Sequence, residues 1–285
     1  MGDPFPGFKH PEATTEMEAF DLLRAHGVFH ASRKCRAGHK MRLTHERLCW
    51  RCYVKGCRSS VGVRKGTFLE GTRLPLTAFV AYLWFWSYGT RQSDAACFTG
   101  LSHHTVAHLR KELWRICGCA NASSPLLGPG DVQADEAWFK MSARTWVLGA
   151  MSVRTRHVIA TCVHNREGVG TLYPILGSWI GPEANLMTDE ASYYRSIASH
   201  FPGWTHATCC HSKFQWVNKA SGATVNAMEN FWSVLKRKWD GTDVDGFLAE
   251  QIFKWNLAAD GVLRLRFHIA MLEEIAKQFP PSGRF

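Results

Sequence analysis

Apolar and polar positions along the chain change their period three times, and each change marks a different kind of structure. Thr14 to His26 (TTEMEAFDLLRAH) has the layout of a short amphipathic helix, with Thr14 or Thr15 as its cap and Gly27 as its stop. Residues 28–66 lose the helical period and show short alternating segments such as RLCWRCYV. That predicts a small β-ribbon, a unit too small to fold on apolar contacts alone. A helical pattern returns after Pro75, which stands at a first-turn position for LTAFVAYLWFWSY and ends at Gly89. Gln92 to Phe98 predicts a second, shorter helix. Thr99-Gly100 makes a turn, and Ser102 caps a third helix through TVAHLRKELWRIC. This is the order of a helix-turn-helix reader. The aromatic run Tyr82, Trp84, Phe85, Trp86 and Tyr88 reads as packing in preference to nucleobase stacking.

The segment CANASSPLLGPGD (119–131) is a linker of small residues, Pro and Gly, and the period changes again behind it. Val132 to Phe139, Thr145 to Val153 and His157 to Val163 are three β-like segments in quick succession. A helix packed on the sheet is expected over Val169 to Ile180, with Pro174 a flaw if it sits beyond the first turn. Next come a brief strand over Asn185 to Thr188, helical residues from Ala191 to His200, a strand over Thr205 to Cys210 and a long helix over Val225 to Trp239. Three strands, helix, strand, helix, strand, helix is the order of an α/β, RNase H-like fold. Phe247 to Leu257 and Leu263 to Lys277 add terminal helices.

Charge adds a partner to this outline. Lys and Arg number 34 against 24 Asp and Glu, a formal net charge of +10. Between Arg33 and Thr67 there are eleven Lys or Arg and a single acid, Glu46. A positive field that concentrated suits a polyanion, nucleic acid above all. No run of eighteen apolar residues is present, so no membrane span is expected. The N-terminus lacks a secretory layout, and Pro6 rules out a myristoylation motif, which points to an intracellular protein. Ten cysteines in that setting favour metal ligation over a disulfide framework.

Three acids stand out by position. Asp135 lies within the first strand of the α/β region, and Asp189 falls at the end of the strand NLMT, where ligands gather in open α/β sheets. Glu229 lies on the last large helix among Met228, Phe231 and Trp232. Phosphodiester chemistry needs an activated oxygen nucleophile and a stabilised leaving oxygen. Two Mg²⁺ or Mn²⁺ ions held by carboxylates provide both. Glu136, on the opposite strand face from Asp135, is the second choice. Asp189 has a competing role as a helix cap. Lys236 is seven residues past Glu229, on the same helical face, and with Arg237 and Lys238 suits phosphate backbone. Those last two fit a solvated edge equally well. His211, beside Ser212 and Lys213, suits either an activated water or a substrate phosphate, or it is an ordinary loop histidine.

Cys35, His39, Cys52 and Cys57 have the spacing of one four-ligand structural Zn²⁺ site, with Cys49 in place of His39 as the alternative. Cys97, Cys117, Cys119, Cys162, Cys209 and Cys210 are scattered and read as structural.

Taken together, the motifs resemble the ISXO2-like transposases of the bacterial IS1595/IS1016 group, and especially their eukaryotic relatives, the Merlin superfamily. The likeness runs from about Cys35 to Trp255. It is carried by Trp50-Arg51-Cys52, Val63-Arg64-Lys65-Gly66-Thr67-Phe68, Val132-Gln133-Ala134-Asp135-Glu136, and Thr188-Asp189 through Tyr194. His211-Ser212-Lys213-Phe214 and Asn226, Glu229, Trp232 and Lys236 complete it. One departure is Gly38, where the family has a second cysteine, with His39 next to it.

The resemblance implies a DNA transposase whose Asp135, Asp189 and Glu229 hold two Mg²⁺ or Mn²⁺ ions, supported by His211, Lys236 and Asn226. Its partners would be double-stranded DNA, as terminal inverted repeats and target, and further copies of itself in a dimer or larger assembly. Its compartment would be the nucleus in a eukaryote or the cytoplasm in a bacterium. Candidate DNA contacts are Arg51, Arg58, Arg64, Lys65, His103, His104, Arg110, Lys213, Arg237 and Lys238. The expected plan is a tail and helix (1–27), zinc ribbon (28–68), helix-turn-helix-like region (69–118), linker (119–131), catalytic domain (132–245) and C-terminal helices (246–285). An RNase H-like nuclease without strand transfer and a domesticated DNA-binding regulator are the alternatives.

Overall fold

The computed structural model describes residues 10–140, 144–210, 217–241 and 243–282. In chain order it begins with α1 (Glu16–Ala25), β1 (Arg42–Thr44), β2 (Cys49–Arg51), β3 (Ser60–Gly62), α2 (Leu76–Tyr88), α3 (Gln92–Thr99) and α4 (His103–Ala122). It continues with β4 (Gly130–Lys140), β5 (Arg144–Ser152), β6 (Val158–Val163), α5 (Tyr173–Trp179), β7 (Ala184–Asp189), α6 (Ile197–His200) and β8 (Thr205–Cys209). It closes with α7 (Asn226–Lys238), α8 (Val244–Ala259) and α9 (Phe267–Gln278). The chain forms two compact units, one of residues 1–112 with 262–285 and one of Leu113–Gly261. Among the described residues no helix is long and apolar enough to cross a membrane.

In the first unit, Thr15 caps α1 in a capping box with Glu18, which satisfies donors that the helix start would leave orphaned. Strands β1, β2 and β3 form an antiparallel sheet in that order. Glu16 reaches from α1 to the backbone N–H groups of Leu76 and Thr77 and so caps α2 through a long-range contact. Tyr82 and Trp86 of the aromatic run are buried, while Tyr88 is exposed and lies under the Arg264 guanidinium.

The second unit is a five-stranded sheet in the order β6-β5-β4-β7-β8. The first three strands are antiparallel, and β7 and β8 add in parallel. Each parallel addition needs a crossover, supplied by α5 before β7 and by α6 before β8. This is the RNase H-like arrangement. On one face Ala137, Phe139, Val147 and Met151 pack against Met228, Phe231, Trp232 and Leu235 of α7 and Phe247, Leu248 and Ile252 of α8. On the other, Ala134, Leu148, Ala150 and Leu186 pack against Leu172, Tyr173, Leu176, Tyr194 and Ile197.

Three local features differ from the sequence reading. Pro174 does no harm because α5 starts at Tyr173, which puts the proline in the first turn, while Gly168–Leu172 forms a wider π turn ahead of it. The stretch 191–200 is a 3-10 turn, Ser192–Tyr194, and a separate single turn of α6, and the hydroxyls of both tyrosines in the first turn donate to Glu136. Helix α4 continues through Cys119–Ala122, into the segment read as linker, with the Asn121 amide donating to the carbonyl of Ala249.

Candidate active site and metal centre

Alternation along β4 sets up the carboxylates. Gln133, Asp135, Ala137 and Phe139 share the face beneath α7, while Ala134, Glu136 and Trp138 share the other. The parallel register pairs Gln133 with Met187. Beyond that pair, at the end of β7, the Asp189 charge acts on Asp135. The N–H of Ala191 donates to Asp189 Oδ1 at 3.0 Å, which shapes the turn after the strand.

Glu229 comes from the first turn of α7, and the placement of that turn is built in. The side chain of Gln133, 2% exposed, accepts from the backbone N–H groups of Ala227 at 2.9 Å and Met228 at 3.2 Å. A strand residue two positions from Asp135 thus caps the helix that carries Glu229. Opposite Asp135 on β5 stands Gly149. A Cβ there would lie 2.6 Å from the Trp232 ring and 2.7 Å from Met228, so only glycine lets α7 lie this close to the sheet.

Asp135, Glu136, Glu229, Trp232, Ser233, Lys236 and Arg237 line one cavity of about 540 Å³. Burial, reinforced by the charges of Glu136, Asp189 and Glu229, pushes the Asp135 carboxyl up to about 7. Burial also raises Glu136, although it accepts hydrogen bonds from Tyr193 at 2.5 Å and from Tyr194. Both Glu136 oxygens therefore have phenol partners. An acidic cluster whose members repel one another can hold a proton or a cation; three acids around one cavity, with the Asp189 charge acting on Asp135, suit hard divalent ions.

Lys236 and Arg237 put positive charge on the same cavity, with the Arg237 guanidinium also donating to Ser233. Asn226 opens α7 one turn ahead of Glu229. Lys238 turns away to Gln251. His211 and Lys213 lie outside the described residues.

In the first unit Cys35, His39, Cys52 and Cys57 bring their ligand atoms within 4.8 Å of one another. Among the described residues this is the only such gathering; the carboxylates stand further apart. The His39 Nδ1 lies 3.6 Å from Cys35 Sγ and 3.7 Å from Cys52 Sγ, and the Cys35 and Cys57 sulfurs are 3.6 Å apart. A tetrahedral Zn²⁺ with Zn–S bonds of about 2.3 Å separates its sulfurs by roughly 3.8 Å, so the donor set fits that ion. Cys49, paired with Thr44 and Gly62 in the sheet, is outside the group. The Ser59 hydroxyl and backbone hold the Cys57 thiol down to about 6, which favours the thiolate a metal needs.

The remaining basic candidates divide. Arg51, Arg58, His103 and His104 are exposed. Arg64 is committed to Thr72 and the carbonyl of Leu74, Lys65 pairs with Glu70 at 2.5 Å, and Arg110 is half-buried with a partner of its own. Sequence reasoning missed Gln133 as a cap, Gly149 as a spacer, and the Tyr193–Tyr194 clamp. Only the period of two in β4, which puts Gln133 on the face of Asp135, hinted at any of them.

Residues 126–255 match the family model described as the ISXO2-like transposase domain. Among solved structures, the HTLV-2 integrase catalytic core domain in complex with magnesium, in its dimeric form, is similar at 11% identity with a TM-score of 0.33, over 45% of this chain and 87% of that one. A simian T-cell lymphotropic virus intasome in complex with PP2A regulatory subunit B56 gamma is similar at 15% identity and the same TM-score, over 66% of this chain and 74% of that one. No curated protein matches the sequence.

Proposed function

We propose that this chain, whose residues 126–255 carry an ISXO2-like transposase domain, binds the terminal inverted repeats of a DNA element, hydrolyses the strands at their ends and joins the freed 3′-hydroxyls to target DNA. The observation that supports the reading best is that Asp135, on a strand, and Glu229, on a helix, line one cavity, with the charges of Glu136, Asp189 and Glu229 adding to the burial that raises the Asp135 carboxyl to about 7. Those three would hold Mg²⁺ or Mn²⁺, which stabilises the attacking and leaving oxygens of an in-line displacement at phosphorus. Glu136, with both oxygens engaged by tyrosines, supports the site from behind. Gln133 fixes the turn that bears Glu229, and Lys236 and Arg237 offer the DNA backbone a positive wall. Zinc on Cys35, His39, Cys52 and Cys57 would hold the basic ribbon in shape for DNA, as terminal-repeat recognition requires. A dimer or larger assembly would bring two ends together, in the nucleus of a eukaryote or the cytoplasm of a bacterium.

The test uses labelled element-end DNA with Mn²⁺. The wild-type protein should cut the ends and yield target DNA covalently joined to them, while Asp189→Asn and Asp135→Asn bind the ends and cut nothing. Cutting without joined product would favour a nuclease, and binding without any cutting by the wild type would favour a regulator. Wild-type cleavage rates in both variants would sink the assignment of the acids.

A further inference from the structure

The sheet face opposite the carboxylates that lie beneath α7 carries a feature that the proposed chemistry does not use. Trp138 on β4 and Trp146 on β5 are cross-strand partners, their rings stacked with centroids 6.2 Å apart and planes 27° off parallel. A Trp pair that served only to pin the β4–β5 hairpin would gain by burying both rings. Trp146 is half-buried, yet Trp138 is 46% exposed. The exposed Arg166 guanidinium lies 3.9 Å above the Trp146 ring and 5.5 Å from the Tyr193 ring, and it donates to the Tyr193 hydroxyl at 3.3 Å. Tyr193 in turn donates to Glu136, which lines the carboxylate cavity. An open indole face, a second indole behind it and a guanidinium alongside therefore form one connected surface that ends at the candidate active site.

We propose that Trp138, Trp146, Arg166 and Tyr193 form a stacking site for an unpaired nucleotide of the DNA, next to the carboxylate cavity. The proposal rests on the transposase reading for its substrate and adds to it a distinct requirement. Bases in a duplex hide their faces in the stack; only a nucleotide that has left the helix can lay its face on Trp138. The indole supplies sequence-tolerant stacking, and Arg166, held by two rings and one hydroxyl, supplies a positive charge for the adjoining phosphate. A protein partner at the same surface is the competing occupant. The guanidinium and the link to the cavity favour the nucleotide.

The probe is a short duplex with a single-stranded tail containing 2-aminopurine, titrated with the full chain in the absence of added divalent ions. The same duplex without a tail is the control. Wild-type protein should quench the 2-aminopurine and bind the tailed duplex more tightly than the paired one. Trp138→Ala should lose the quenching and about 5- to 100-fold of that tail-dependent affinity while binding paired DNA unchanged. Trp138→Phe, which keeps a flat ring, should retain most of both, and equal thermal unfolding of the variants guards against misfolding. Unchanged quenching and tail affinity in Trp138→Ala overturn the stacking site, and so does a variant whose only change is from dimer to monomer in sedimentation. If the wild type cuts and joins element ends but Trp138→Ala behaves like it, the stacking site alone fails. If the tail is bound through Trp138 but no element end is ever cut, the transposase reading alone fails.

Discussion

Replacing Gln133 tests whether the cap on α7 positions Glu229 for the proposed metal site. Gln133 Oε1 takes two backbone N–H groups at a helix start, from Ala227 and Met228, in a site 2% exposed. Gln133→Leu keeps the volume and removes the acceptor, so both donors lose their partner. At about 0.5–1.5 kcal/mol for each bond, the loss is roughly 1–3 kcal/mol, in line with helix-cap removals. For a unit the size of Leu113–Gly261, that lowers Tm by about 2–12 °C. Gln133→Ala should fall further, because it also leaves space beneath the helix. Because Glu229 sits one residue beyond the capped donors, Mn²⁺-dependent cleavage should drop more than DNA binding does. Circular dichroism melts and a cleavage time course read the two effects. A Gln133→Leu protein that melts within 1 °C of wild type and cuts at its rate would refute the cap as a positioning device.

Gly149→Ala should push Trp232 and Met228, and with them α7, off the sheet opposite Asp135; we expect a cost of about 1–3 kcal/mol and a loss of cleavage, read by melts and end-cutting assays. Stripping zinc with a chelator, then restoring Mg²⁺ alone, should leave the ribbon unfolded and specific DNA binding lost, whereas added Zn²⁺ recovers both. Metal analysis should find one zinc per chain, and full binding by zinc-free protein would contradict the site. Burial holds His268, packed against His10 and Trp84, down to about 4 from its usual 6.5. The unfolded chain therefore takes up that proton first. Stability is whole above pH 6.5 and falls as pH drops toward 4, by about 2–3 kcal/mol. His268→Phe should flatten that part of the pH–stability curve, and an unchanged slope would argue against it.

The larger architecture was legible because it depends on periodicity. The alternation in VQADEAWF set Asp135 and Glu136 on opposite faces, and the apolar stripe around Glu229 fixed the face of α7 that meets the sheet. The contacts that tune the site were not legible, because they join residues far apart in sequence. Gln133 meets Ala227 across 94 positions, and Tyr193 and Tyr194 meet Glu136 across 57 and 58. No local pattern encodes which polar strand residue finds which helix start. The basic ribbon shows the same limit, since counting charges could not tell that Arg64 is used to hold Thr72 and Leu74.

The first unit is sewn from both ends of the chain, with α9 contributing buried Phe267, Ile269, Met271, Leu272 and Ile275 to it. On the ribosome the unit with the five-stranded sheet has all its residues before the first unit has the last of its own. A premature stop shortly after Gly261 would thus spare the part with the carboxylates while leaving the zinc-ribbon part without its closing helix. Damage there is then not peripheral: on the proposed reading it spares the candidate metal-binding acids and takes a packing helix from the unit that holds the candidate zinc ligands.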